Sequence, residues 1–261
     1  LLIYFEHRNY MPGFGLLWAV ASLLVFVGPR ISTAMHQPQR LAWVALVAFT
    51  LVIAASTFSR SIVWQSKESI VEQSLKHHPD SRFARMEMAS LEMNRTPPNP
   101  TAAQAHYQHL RQLQRPSTRF IGSLGIVAVE CFSNQSVEID FVDQAFAIEI
   151  ETLEADALKA LLSLSDIVMA RACDGLSAHQ LAFRITNMLD KSHLTSADRT
   201  IWRLRFRSAR LYSHDGFTNQ ALEQAKMAWE PGSAEVPVAM FIVALLSNLD
   251  QREQARLLLQ E

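Results

Sequence analysis

The sequence is poor in the features that announce chemistry most directly. It carries two cysteines, Cys131 and Cys173, with no CxxC spacing and no nearby cluster of His and acidic residues, so neither a zinc-type site nor a multi-disulfide framework is indicated. No Walker loop, dinucleotide fingerprint or GxSxG element occurs, which leaves no motif for nucleotide binding or serine-type hydrolysis. A formal net charge of −1 provides no basic stripe for nucleic acid. Period-2 alternation is nearly missing after Arg60, and with it the mark of a sheet. We expect no metal and no cofactor. Each cysteine falls in an apolar helical run, and the pair reads as two buried free thiols, the alternative being that they pair with each other in an oxidising compartment.

What the chain does have is hydrophobicity, unevenly placed. The hydrophobic fraction of 49 % and mean hydropathy of +0.05 are high, and most of the excess precedes Arg60. Asn9 to Pro29 contains no charged residue, and neither does Leu41 to Ser59, which Arg40 and Arg60 bracket. At about 1.5 Å per residue, each run approaches the roughly 30 Å of a bilayer's hydrocarbon core. They read as transmembrane helices over about 11–28 and 41–59, the competing reading being core helices of a water-soluble domain. Arg30 and Arg40 lie between them without an acidic residue, which by the positive-inside rule turns that loop to the cytoplasm. Everything after Arg60 is then expected on the outer side, the periplasm of a bacterial inner membrane. The chain opens on Leu1 inside an apolar stretch and is read as part of a longer protein.

From Ser61 onward, apolar residues recur at helical spacing, interrupted at Pro or Gly. The spacing predicts helices over 61–77, 81–94, 101–114, 120–132, 139–148, 153–173, 177–189, 196–213, 218–229, 234–249 and 251–260. Gln220-Ala221 returns as Gln254-Ala255, 34 residues later, which is the tetratricopeptide period. In that register Ala209 and Tyr212 pack the first helix of a hairpin, Gly216 makes its turn, and Ala221, Ala228 and Ala255 let the second helix approach. Arg205, Ser208 and Ala225 depart from the pattern. The expected fold class is therefore all-α, two transmembrane helices followed by a tetratricopeptide-like solenoid, with domains at 1–60 and 61–261.

Tyr4-Phe5-Glu6-His7-Arg8-Asn9-Tyr10-Met11-Pro12, followed directly by a hydrophobic run, resembles a motif of bacterial polytopic membrane proteins with C-terminal tetratricopeptide repeats. These are similar to the protein O-mannosyltransferase and oligosaccharyltransferase class. The resemblance implies a glycosyltransferase-like protein that uses a polyprenyl-linked sugar donor, with its catalytic residues upstream of Leu1. It also implies that Glu6, His7, Arg8 and Tyr10 meet a lipid phosphate or headgroup, Arg8 through paired hydrogen bonds oriented by Glu6. The helical array would bind an acceptor protein or another protein or peptide partner. The alternative is a membrane-anchored scaffold without enzymatic activity.

Remaining polar clusters read as structural. His77-His78 suits the negative end of a helix dipole, and His214-Asp215 before Gly216 is turn chemistry. Asn134-Gln135-Ser136 matches the glycosylation acceptor pattern, which is common by chance. Arg199, Arg203, Arg205, Arg207 and Arg210 form a solvated helix face, or a docking surface for an acidic partner, with Trp202 and Phe206 turned inward.

Overall fold

Residues 38–150, 153–171, 173–191, 199–229 and 236–258 are described by a computed structural model. Its contacts divide the chain between Ser66 and Lys67. In the first unit, α1 runs Pro38–Val63. Its hydroxyls are satisfied on the helix itself, Thr50 donating to the Leu46 carbonyl, Ser56 to Ile53 and Ser61 to Phe58. Val44, Leu51, Val52 and Phe58 remain exposed.

The two-span architecture is corrected by this unit. Among the described residues one helix, over Leu46–Val63 with mean hydropathy 1.8, has the length and composition to cross a membrane. Length and composition alone do not separate such a helix from a signal sequence or the core helix of a water-soluble protein. The other expected run, 9–29, lies outside the described residues. A membrane-embedded fold and a periplasmic placement of residues 61–261 therefore lose the observation on which they rested.

The second unit is all helical among the described residues. Its elements are α2 (Lys67–His77), α3 (Arg82–Met93), α4 (Pro100–Gln112), α5 (Pro116–Phe132), α6 (Ile139–Phe146), α7 (Ala155–Ala170), α8 (Ala178–Lys191), α9 (Arg199–His214), α10 (Thr218–Ala228), α11 (Val236–Asn248) and α12 (Arg252–Leu258). Local chemistry sets several starts. Ser81 accepts the Ala84 N–H ahead of α3, Asn99 accepts the Ala102 N–H ahead of α4, and Pro opens both α4 and α5. Nearly every helix packs on the next, while α5 also meets α7 and α7 meets α9. One apolar core runs from Leu110 through Phe120, Leu161, Leu181 and Leu211 to Leu246. Each such side chain stabilises by about 1.5–3 kcal/mol on burial.

The 34-residue spacing is visible in the backbone. The turn from α9 to α10 places Gly216 at φ 82°, with Phe217 N–H bonded to the Tyr212 carbonyl at 2.9 Å. The turn from α11 to α12 places Asp250 at φ 59°, with Gln251 N–H bonded to the Leu246 carbonyl at 2.9 Å. These are the same left-handed helix-ending geometry, shifted from 216 to 250. Burial follows the same shift: Leu204, Ser208, Leu211 and Tyr212 on α9 correspond to Val238, Ile242, Leu245 and Leu246 on α11, and all eight are buried.

Cys131 and Cys173 form a disulfide, which corrects the expectation of two free thiols. The helix expected to run to Cys173 ends at Ala170, so Cys173 lies in the link to α8, beside the link leaving α5. Val137 N–H reaches the Asp174 carbonyl at 2.9 Å, and a Cβ on Gly175 would stand 2.2 Å from the Val137 carbonyl oxygen. The bond closes a loop of sequence separation 42, which in the chain-entropy account contributes about 4 kcal/mol.

Two glycines make predictions of different size under denaturant titration. Gly122→Ala should cost about 3 kcal/mol, because its Cβ would meet the Arg111 backbone N at 2.5 Å and the Tyr107 backbone O at 2.7 Å, atoms that cannot swing away. Gly216→Ala should cost only about 1 kcal/mol of left-handed backbone strain, since its Cβ meets nothing within 4 Å. Equal costs at the two sites would overturn the close-approach account.

Candidate functional site

The centre of the second unit is the seam between α4 and α5. Gly122 and Gly125 carry no side chain to hold the helices apart, and the Tyr107 ring occupies the space a Cβ on Gly125 would need. Two concavities open on opposite faces of α5. One, of about 250 Å³, is mainly apolar and lies among Met86, Met93, Tyr107, Ala128, Phe132 and Ile167. Burial pushes the Tyr107 phenol up to about 12. At its edge, Glu87 bridges Lys67 and Lys159, the latter at 3.0 Å. Burial raises the Glu87 pKa, but the two ammonium hydrogen bonds outweigh it and hold the group below its ordinary value.

The second concavity, of about 590 Å³, is polar. Gln104, Gln108, Gln112 and Arg111 of α4 face Arg119 and Glu130 of α5, with Phe141 and Gln144 of α6 on the third side. Gln104 donates to Glu130 at 3.2 Å, and the Arg111 guanidinium lies 4.7 Å from the Phe141 ring centre. Burial raises the Glu130 carboxyl, with the charge of Glu138 adding to the effect. A third cleft, of about 740 Å³, lies on the other flank of α6 against α8 and shares Ile148 with the second. Phe146, Phe183, Met188 and the Arg184–Asp143 ion pair line it. Phe183 is 60 % exposed, a large aromatic left in water beside a cleft.

Carboxylates staple the helices that shape these walls. Glu154, at the start of α7, takes Arg82 of α3, Arg115 ahead of α5 and the Ser117 hydroxyl. The Arg82 hydrogen bond is the main cause that holds Glu154 below the usual carboxylate range, against some opposing burial. The arginine run on α9 is divided: Arg203 and Arg210 are exposed, as a solvated face requires, whereas Arg205 pairs with Asp190 at 2.5 Å and with Gln224 at 2.9 Å, and Arg207 pairs with Asp166. Three carboxylate and amide partners from neighbouring helices were invisible in the spacing of one helix.

Ser177, His179 and Asp215 come together, a trio that invites a catalytic reading. Ser177 Oγ lies 3.0 Å and Asp215 Oδ2 3.3 Å from the same atom, His179 Nδ1. A relay needs the nucleophile and the orienting carboxylate on opposite ring nitrogens, so this arrangement is not one. Asp215 instead accepts the His179 backbone N–H at 2.8 Å, at the start of α8. Burial would raise its pKa, but that N–H and the His214 and His179 side chains bring the carboxyl below its ordinary value. Asn134 likewise serves a turn, at φ 55° after α5. No group of three or more His, Cys, Asp or Glu placed to hold a metal occurs among the described residues.

Ala209, Ala221 and Ala225 are fully buried in the core that joins α9 and α10, with Tyr212, Ala228 and Ala255 nearly so. Glu6, His7, Arg8 and Tyr10 lie outside the described residues. No family model, curated protein or solved structure matches this chain.

The glycosyltransferase-class resemblance is accordingly set aside, together with the polyprenyl-linked donor, the membrane-lipid partner and the inner-membrane placement that came with it. Nine residues carried it, and a short aromatic-charged-Pro segment before a hydrophobic run satisfies generic helix-end chemistry without requiring that class. The Gly122–Gly125 pair and the amide-lined cleft escaped the sequence reading. Their signal was Gly-x-x-Gly inside an apolar helix beside glutamines spaced by four, and neither pattern names its partner helix.

The Glu154 staple should be readable in acid. A carboxylate depressed on folding stabilises the fold above its unfolded pKa of about 4.3, and that contribution is lost as pH falls through the folded value. Glu154→Gln should therefore lower stability by about 1 kcal/mol at neutral pH, and the gap to the parent should close as pH falls through the folded value. An undiminished gap in acid, measured by thermal melts across pH, would assign the loss to packing.

Proposed function

We propose that this chain is a helical scaffold whose second unit binds a protein partner. The observation that carries the reading is the pair of adjoining clefts flanking α6, one polar and one bearing an exposed aromatic, on an array in which successive helices stack on each other. Stacked helical arrays expose long grooved surfaces suited to chains rather than to small substrates. Partner recognition commonly centres on a few aromatic and Arg anchors surrounded by polar groups, and the α6 region supplies both kinds. The polar groups nearest to a catalytic arrangement, around His179, are spent on a helix start.

The immobilised chain should retain a protein from extract above a bead control. Titration of that partner should show Phe183→Asp weakening it by about tenfold or more, as loss of an aromatic anchor does. Thermal stability should stay unchanged, because Phe183 is exposed. Retention of no protein above the control would sink the scaffold reading.

A further inference from the structure

The polar cleft among α4, α5 and α6 is set apart by bringing two arginines without carboxylate partners together beside a row of glutamine amides. Arg82, Arg95, Arg115, Arg184, Arg205 and Arg207 each contact a carboxylate. Arg111 and Arg119, which line this cleft, contact none among the described residues; Arg111 has the Phe141 ring and Arg119 has solvent. Two guanidinium groups thus stand at one end of the cleft, where α4 finishes and the first turn of α5 adds the positive end of its dipole. Glu130 stands at the other end, eleven residues along α5, which at about 1.5 Å per residue is roughly 16 Å away.

Along the floor between these ends, Gln104, Gln108 and Gln112 occupy successive turns of α4. Their spacing of about 6 Å is close to the two-residue repeat of an extended chain, about 6.6–6.8 Å. A glutamine amide offers one acceptor and two donors, the complement of a peptide's C=O and N–H. Gln104 spends one donor on Glu130, whereas Gln108 and Gln112 have no side-chain partner among the described residues. The roughly 16 Å between Arg119 and Glu130 spans about five extended residues.

We infer that this cleft binds an extended peptide segment of about five residues, with its backbone on the Gln108 and Gln112 amides and an acidic side chain between Arg111 and Arg119. Glu130 sets the direction by repelling an acidic residue at its own end. The inference rests on the scaffold reading and narrows it to one partner chemistry.

The test is a selection of random heptapeptides, displayed without a free C-terminus, on the full chain. Selected peptides should share an acidic residue, bind less tightly as salt rises, and lose about tenfold in affinity against Arg119→Gln and against Arg111→Gln. Arg119 is exposed and without a partner among the described residues, so the circular dichroism melt of Arg119→Gln should match the parent, while Arg111→Gln, which loses its contact with the Phe141 ring, should melt no more than a few degrees lower. Acidic peptides that bind the Arg111→Gln/Arg119→Gln double variant unchanged, or that lose affinity only against Phe183→Asp, would overturn this inference and leave the scaffold reading standing. Failure to select any peptide would overturn this inference; the scaffold reading would then fall only if the extract experiment also retains nothing.

Discussion

The architecture depends on how closely α4 and α5 approach at Gly122. Backbone meets backbone there, at distances that a single methyl group would violate. Because the helices touch along that line, their flanking side chains are pushed outward to either side. The apolar Tyr107 cavity on one face and the glutamine-arginine cleft on the other are the two consequences. A wider seam filled by alanine or leucine would separate the walls and flatten both.

Charge pairs then hold the surrounding helices in register around that seam. Glu154 gathers Arg82 and Arg115, and Glu87 gathers Lys67 and Lys159, so α3, α5 and α7 are tied through carboxylates whose pKa values are depressed by those partners. Partly exposed pairs of this kind individually add little stability. The Cys131–Cys173 disulfide and the Val137–Asp174 hydrogen bond fix the crossing of two links near the end of α5. Beside these paired groups, Arg111 and Arg119 line one cleft without a carboxylate partner among the described residues, Arg111 resting on the Phe141 ring.

Much of the helical layout was legible because it is governed by local rules. The boundaries predicted for α3, α4 and α8–α11 lie within a few residues of those observed, at starts set by Ser81 and by Asn99 with Pro100, whereas α5 begins at Pro116, four residues before the predicted start. The repeat of Gln-Ala over 34 residues pointed to a pair of hairpins whose turns coincide in geometry even though Gly216 is replaced by Asp250. Errors arose where a reading needed to know the neighbour. Hydropathy suggested two spans although apolarity and length do not specify the surrounding solvent. Cys173 lies three residues beyond the end of α7, in a link free to reach Cys131, and not in the apolar helical run that its neighbours suggest. A nine-residue likeness was extended to a whole enzyme class that no comparison supports.

Residue pattern alone was enough to read the described residues after Arg60 as helical, to place most helix boundaries, and to find a 34-residue recurrence near the C-terminus. These features come from period, capping and turn residues, which act within one or two helical turns. Packing was needed to show that Gly122 is a contact point, that Arg205 and Arg207 are paired with carboxylates while Arg119 is not, and that Ser177, His179 and Asp215 form a helix start and not a relay. Each of those depends on which groups from distant positions arrive within hydrogen-bond or van der Waals distance, and that is settled by packing.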